Sequence, residues 1–426
     1  MAIYDNKMIN ENLERNILHM FMNRLNSLLL CLIMTGCFMA VGSPVKALAA
    51  GQSDYELLKT KIIKAYKEYK TELDISSFDF YINEDKSSIK KVMTEVVNKT
   101  TSLFYTSHSY SLEYTGTSGK ITKIQLGYAA EYKYQSGSVN KSAIKKASNK
   151  INRQITKITS QLKHDMNSVD KALFVHDWIA KNTSYEDKSS DNGRLTEYGV
   201  LVKHKGNCQG YSLAYAAVME KLGISVRFVD SDSMGHVWNQ VKIGSKWYNV
   251  DVTWDDPVGS ETGKNQDGVV HHSFLLASDS YMKSHGYYGF QATGADSKKY
   301  DKSYFKNVTS AFDYRGDCFV YMDSSGIYKR THVNSGSAKC LCKVKGICFI
   351  KYNSVKYYYI AYNRIYIFSL KSNRSALVWS PVKQYGYSYY ITQIKYSSGK
   401  IKYYLINKKK NKQKRGSFEV KKSGLV

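Results

Sequence analysis

Proline is scarce in this chain, with 3 residues in 426, and that argues against a long proline-rich linker. Acidic residues are also few, 36 against 62 Lys and Arg, for a formal net charge of +26. The deficit is uneven. Residues 301–426 hold 25 Lys and Arg against 5 Asp and Glu, a net of +20, so an anionic partner is expected there. Simple solubility, or an AT-rich coding sequence, would give a similar bias. Long apolar runs are missing except for Leu28 to Val41, which at 14 residues falls short of the roughly 20 that span a bilayer. Cysteine is sparse too. Of 7 residues, Cys31 and Cys37 lie in that early apolar run, Cys318, Cys340, Cys342 and Cys348 cluster late, and Cys208 stands alone.

What is present begins with an export signal. Arg24 precedes the apolar run, and Ala47-Leu48-Ala49 fits a small-residue cleavage site. Met22 is a second candidate start. Met34-Thr35-Gly36-Cys37 resembles a lipoprotein box, though Met is a poor first residue for one. Cleavage and secretion, or attachment at the cell surface, are expected. Membrane association is expected only if the signal stays uncleaved or lipidated. The hydrophobic content of 43% supports real cores, and the length suggests several domains. The expected organisation is a signal peptide at 1–49, an N-terminal α+β region at 50–165, a catalytic domain at 166–295 and a basic, Tyr-rich β domain at 300–426.

Within this frame, apolar spacing predicts a helix over 54–70, a strand bearing Ile124, Leu126 and Tyr128 on one face, and a helix over 141–164. A further helix should run from an N-cap at Ser168 to Lys181, apolar on two faces and therefore buried, with His176 as a packing residue. In "GNCQGYSLAYAAVMEKLGI", Asn207 is a good N-cap and Gly223 stands where a helix end favours Gly. Cys208 then falls in the first turn. Unpaired N–H groups and a positive macrodipole there stabilise a thiolate. Gly206 and Gly210 should leave room beside the sulfur for a substrate backbone. The plain alternative for Cys208 is a buried apolar thiol.

The runs "HVWNQVKI" and "KWYNVDVTW" flank Gly244-Ser245, which predicts a type II′ hairpin. The turn pairs Ile243 with Lys246, so Trp238 should oppose Asp251, and His236 should oppose Thr253. His236, Trp238 and Asp251 would share one face, with Asp251 the diagonal neighbour of His236 and Trp238 shielding their contact. Cys208, His236 and Asp251 would then form a nucleophile, a base and an orienting carboxylate, suited to attack on an amide carbonyl. The Cys208 backbone N–H offers one oxyanion donor. Gln209, Tyr185 and Trp178 are side-chain candidates for a second.

"GNCQGYSLAY", "GHVWNQV", "WYNVDVTWDDP" and "HHSFLLASD" resemble the bacterial transglutaminase-like superfamily, relatives of papain-type peptidases. The resemblance covers roughly residues 168–280. It implies an α+β fold: a papain-like transglutaminase core, with a Cys helix packed on an antiparallel sheet, and Cys208, His236 and Asp251 as catalytic residues. It implies a cysteine acyltransferase or peptidase acting on protein or peptide amides, with water or an amine resolving the thioester. No cofactor or metal is expected, and no acidic 12-residue loop that would hold calcium is found. The alternative is a non-catalytic surface-binding protein on the same scaffold.

Two stretches near the C-terminus can be overlaid, with Ile327-Tyr328 on Ile365-Tyr366, a spacing of 38. A small repetitive all-β domain follows. Its Tyr and Lys would grip an anionic cell-wall polymer rather than nucleic acid, and its removal should leave turnover of a small substrate almost unchanged. "NKKKNKQKRG", residues 407–416, reads as a flexible basic loop or tail. Two disulfides suit the four late cysteines of an exported domain best, with free thiols next and a zinc site the least favoured because Cys-x-Cys departs from the usual two-to-four-residue gap.

Overall fold

The computed structural model describes residues 52–187, 192–257, 268–291, 293–407, 409–410 and 412–419. The signal expected at 1–49 lies outside them. Among the described residues, no helix is long and apolar enough to cross a membrane.

The N-terminal part is a three-stranded antiparallel sheet with helices beside it. Helix α1 (Gln52–Lys67) precedes β1 (Glu72–Asp74), α2 (Ile82–Lys99), β2 (Ser111–Tyr114) and β3 (Ile121–Gln125), in sheet order β1-β3-β2. Ile124, Leu126 and Tyr128 are all buried, but the strand expected to carry them ends at Gln125, and Tyr128 makes only an isolated bridge to Thr106. Helix α3 (Lys141–Thr159) starts where Asn140 accepts the Ala143 N–H, and it buries Ile144, Ala147, Ile151, Ile155 and Ile158 at helical spacing.

Helix α4 (Ser168–Asn182) is capped by Asn167 rather than Ser168. The Asn167 side chain accepts the Val169 and Asp170 N–H groups, and Asp170 accepts the Asn167 N–H in return. A two-stranded parallel pair, β4 (Ser184–Tyr185) with β5 (Lys205–Gly206), brackets α5 (Glu197–Lys203). Helix α6 (Cys208–Lys221) follows and is buried nearly all round. It ends at Leu222, beyond which Gly223 takes φ +72. L side chains rarely adopt that conformation, so glycine closes the helix without strain.

α6 packs on a four-stranded antiparallel sheet, β6 (Val226–Ser231), β7 (His236–Ile243), β8 (Lys246–Val250) and β9 (Leu275–Ala277), in that order. The β7–β8 register runs from Ile243 opposite Lys246 to Asn239 opposite Val250, as the two-residue turn requires. Gly244 has a φ of 61 and Ser245 stays out of the left-handed region, the pattern of a type II′ turn. The ladder stops there. Thr253 does not oppose His236, because Val252–Asp255 forms a short helix, α7, capped by the Asp251 side chain. A carboxylate that satisfies two helix-start N–H groups outweighs the strand-like alternation of the sequence. Helix α8 (Asp279–Ser284) follows β9.

The C-terminal region is all β. Strands β10 (Asp313–Tyr314), β11 (Phe319–Met322), β12 (Gly326–Arg330) and β13 (Lys339–Lys343) form one antiparallel sheet. Strands β14 (Gly346–Lys351), β15 (Lys356–Ala361), β16 (Arg364–Ser369) and β17 (Arg374–Trp379) form a second. The repeat is real in three dimensions: Tyr321 stacks on its cross-strand partner Tyr328, and Tyr359, 38 residues on, stacks on Tyr366 in the same way. A third sheet holds β18 (Tyr390–Ser397), β19 (Lys400–Asn407) and β20 (Lys412–Glu419).

Three expectations change here. Of the basic segment 407–416, residues 412–416 belong to a strand rather than a flexible loop: Lys412–Glu419 pairs with β19, and Phe418 stacks on Trp379. Among the described residues Cys318, Cys340, Cys342 and Cys348 form no disulfide, against the two expected. Cys340 and Cys342 share β13, Cys318 directly precedes β11 of the same sheet, and Cys348 lies on β14 of the next sheet, sealed in an apolar core. The first C-terminal sheet also packs into the main core. Phe312, Phe319, Tyr321 and Val333 lie in the same hydrophobic core as α3, α4 and α6, and Asp170 of α4 takes hydrogen bonds from His332 and the Val333 N–H. Removing residues 301–426 would expose that core rather than spare turnover.

Candidate active site

The site is assembled from the start of α6, the start of β7 and the start of α7. Asn207 caps α6 with its side chain on the Gln209 and Gly210 N–H groups, at 3.1 and 3.3 Å. That cap sets Cys208 at the positive end of α6. Cys208 is 9% exposed, His236 4% and Asp251 1%, so all three are buried and Cys208 is the most exposed residue of the three.

His236 Nε2 donates to Asp251 Oδ2 at 2.5 Å. Asp251 Oδ1 accepts the Thr253 and Trp254 N–H groups at 2.9 and 3.1 Å. Tyr287 adds its hydroxyl to Oδ2 at 2.6 Å. Burial alone would raise the Asp251 pKa, but the charge of His236 and these hydrogen bonds outweigh it and hold the carboxyl below its ordinary range. Burial likewise disfavours a charged His236. The charge and hydrogen bond of Asp251, with a further contribution from the Cys208 side chain, overcome this and lift the imidazole to about 9. His236 Nδ1 is buried and makes no hydrogen bond to nitrogen or oxygen, and Cys208 acts on the same ring. An imidazolium with Asp251 on one nitrogen and a thiol near by is the arrangement that keeps sulfur as thiolate.

The ring is enclosed by aromatics. Trp238 stacks on it at 5.8 Å between centroids, Trp254 lies at 5.4 Å and Tyr287 at 6.2 Å. The His236–Asp251 bond is therefore shielded by more than Trp238. Trp238 is itself fixed by donating Nε1 to Asn249 Oδ1 at 2.9 Å.

The other sequence candidates lie as follows. Tyr185 pairs with Gly206 in the β4–β5 ladder, two residues from Cys208, with its ring 6.3 Å from that of Tyr211. Gln209 turns its amide away to the Asn98 carbonyl. Trp178 lies on α4 with its ring 6.2 Å from that of His204. Gly206 and Gly210 do not open space for a substrate. A Cβ on Gly206 would stand 2.4 Å from Val200 Cγ2, and one on Gly210 would stand 2.4 Å from the Arg194 carbonyl oxygen. Both glycines let the 193–200 segment close against α6.

Sequence reasoning missed Tyr287, which lies 36 residues beyond Asp251 with no motif to join them. It also left His176 as packing. His176 is buried but bonded at both nitrogens, and His176, Asp177 and His272 bring three metal-capable donor atoms within 4.8 Å of one another. Those donors already serve each other: Asp177 Oδ1 holds His176 Nδ1 at 2.8 Å and His272 Nε2 at 2.9 Å.

Residues 153–252 match the family model of the transglutaminase-like superfamily. The fold resembles a crystal structure described as a TGase, at 17% identity over 41% of this chain and 49% of that one, TM-score 0.24. A putative cysteine protease from Cytophaga hutchinsonii shares 15% identity over 34% of this chain and 61% of its own, TM-score 0.21. The N-terminal domain of Nup159 shares 8% over 46% and 44%, TM-score 0.20. The chain thus spans about half to three-fifths of the first two structures. No curated protein matches it.

Proposed function

We propose, on the premise that this chain belongs over residues 153–252 to the transglutaminase-like superfamily, that it is a cysteine enzyme acting on protein or peptide amides. One observation carries this reading: a buried imidazole lifted to about 9, bonded to Asp251 and adjoining a lone thiol at a helix N-terminus.

The steps follow from that geometry. Cys208 Sγ, as thiolate, attacks the amide carbonyl carbon. The carbonyl π electrons move to oxygen, and the oxyanion meets the Cys208 N–H and the positive end of α6. His236, with Nε2 held on Asp251, gives its Nδ1 proton to the departing nitrogen. The C–N bond breaks, an amine or ammonia leaves, and a thioester remains on Cys208. Water or an amine, deprotonated by the now neutral His236, then attacks the thioester and returns the thiolate. The three outcomes are peptide-bond hydrolysis, side-chain deamidation and cross-linking. Trp254, Trp238 and Tyr287 keep the imidazole dry and oriented throughout.

Mass spectrometry of a glutamine-containing peptide incubated with the full chain, with and without excess amine, separates these outcomes. Amine incorporation shows transfer, a gain of about one mass unit shows deamidation, and fragments show peptidase action. An unchanged peptide, together with ordinary alkylation kinetics at Cys208, would favour the alternative of a non-catalytic binding scaffold.

For the cellular setting we propose export, with retention at an anionic surface polymer. The support is the leader composition and the net +20 of residues 301–426, including the exposed Lys412, Lys414 and Arg415 of β20. Replacing these three by Gln in the full chain should weaken retention on isolated cell walls. So should raising salt from 0.1 to 1 M, which shortens the Debye length from about 10 to about 3 Å. Retention unaffected by either change would refute it.

A further inference from the structure

Four titratable side chains outside the triad are sealed from solvent: His176, Asp177, Asp255 and His272, none more than 2% exposed. They form one chain of hydrogen bonds. His272 donates Nδ1 to the Val308 carbonyl at 2.9 Å and sets Nε2 against Asp177 Oδ1. Asp177 also accepts the Phe312 N–H at Oδ2. His176 bonds Asp177 through Nδ1 and Asp255 Oδ2 through Nε2, at 3.2 Å. Both neighbours of His176 are carboxylates, and they outweigh burial to lift the imidazole to about 9. His271 and Lys306 also sense Asp255 from the adjoining segments.

The far end of this chain is attached to the triad. Asp255 lies in α7, the helix that Asp251 caps, and its N–H bonds the Asp251 carbonyl at 3.2 Å. Phe274 is held from both sides. Its N–H goes to Asp255 Oδ2 at 3.0 Å, and its carbonyl accepts the Asp251 N–H at 3.2 Å. The Asp255 carboxylate therefore fixes the same backbone loop that aims the Asp251 carboxylate at His236. A buried ionic network is costly to desolvate, and an apolar replacement of similar volume is often no less stable. What such a fully bonded network contributes is a fixed geometry. A metal is a poorer fit, because only three donors converge and each is already bonded to another.

We infer that His176 is a positioning residue for the Cys208–His236–Asp251 site: bridging Asp177 and Asp255, it locks the α7 turn so that the Asp251 carboxylate stays aimed at His236. The inference rests on the thiolate reading of that site. It also makes the segment around Val308 and Phe312, at the head of the C-terminal sheets, part of the active-site support.

The test is the pH profile of iodoacetamide alkylation at Cys208, followed by peptide mass spectrometry, in the full-length protein and in His176→Gln and Asp255→Asn. The wild-type profile should fall well below the ordinary thiol pKa of about 8.5. In each variant with native circular dichroism, the apparent pKa should rise by about one unit, slowing labelling near pH 6 about tenfold. Variants that lose melting temperature but keep the wild-type profile would overturn the inference and leave the functional reading standing. A wild-type profile at 8.5 would overturn both. If neither variant folds, nitrogen-15 histidine spectra of the wild type decide. His176 protonated at both nitrogens at pH 7 supports the bridge, and a neutral ring, or one zinc per chain by elemental analysis, overturns it.

Discussion

Tyr287 donates its hydroxyl to Asp251 Oδ2 at 2.6 Å, the same oxygen that holds His236 Nε2. The two donors share that oxygen, which a carboxylate oxygen with two lone pairs can accommodate. The tyrosine adds a second donor to a carboxylate that must stay ionised, and its ring closes one side of the imidazole. A hydrogen bond to a charged group is worth about 1.5–3 kcal/mol, and Asp251 keeps three others when this one is lost. Tyr287→Phe should fold normally and lower kcat/KM by about tenfold, as measured by steady-state kinetics on an amide substrate. No change would show that the hydroxyl only packs.

Asp251→Asn should keep α7, because an Asn side chain also accepts the Thr253 and Trp254 N–H groups. It should lose turnover heavily, by about 10⁴-fold if it behaves as the equivalent change does in a serine triad, because the His236 tautomer is no longer imposed. The contrast to measure is a native circular dichroism spectrum beside a collapsed kcat. A variant that keeps more than a tenth of wild-type activity would remove Asp251 from the mechanism.

Stability should decline on the alkaline side of neutrality. His176 and His236 both have folded values raised to about 9. A raised value means that the folded state holds the proton more tightly. The stabilisation is full below the unfolded value of about 6.5 and is lost as pH rises through about 9. Asp251 is depressed, so its contribution is present above the unfolded value of about 3.9 and disappears in acid. Melting temperatures from pH 4 to 10 should peak between these limits. A flat profile from pH 6 to 9 would contradict the protonated histidines.

Glu197 works in the same direction for a different reason. Burial lifts its carboxyl to about 7, Oε1 accepts the Ser102 N–H at 2.7 Å, and Oε2 has no hydrogen-bond partner. Ionisation above that pH puts an uncompensated charge in the interior. Glu197→Gln should raise the melting temperature at pH 8.5 and change it little at pH 5. The opposite ordering would mean that the ionised form is the one the fold accommodates.

Truncation before residue 301 should fail to give a cooperatively folded fragment, because Phe312, Phe319, Tyr321 and Val333 share the main core and Asp170 loses its partners. Thermal unfolding of the fragment, watched by near-ultraviolet circular dichroism, checks this. A sharp native transition with intact Cys208 reactivity would restore the picture of an independent anchoring domain.

The sequence carried the hairpin well, because Gly244-Ser245 leaves one register and that register puts His236 and Asp251 within reach of each other. It carried the Cys208 helix for a similar reason, since cap, periodicity and terminal glycine agree along one segment. It misled where a local pattern and a tertiary demand diverge. Asp-Val-Thr-Trp alternates like a strand, yet Asp251 spends one oxygen on a helix cap. The charge run 407–416 suggests a solvated loop, yet β19 gains a strand partner from it and Phe418 finds Trp379. Tyr287 and the His176 bridge were illegible because their contacts join segments 36 and 79 residues apart. Gly206 and Gly210 looked like space for a substrate and proved to be space for the protein's own backbone.

The most direct test of the account is the mass of the intact protein after rapid acid quench during turnover of a glutamine-containing peptide. The account predicts an acyl adduct equal to the peptide less its leaving amine, mapped to Cys208, discharged by hydroxylamine and absent in Cys208→Ala. Turnover that persists in Cys208→Ala, with no adduct on the wild-type protein, would contradict it.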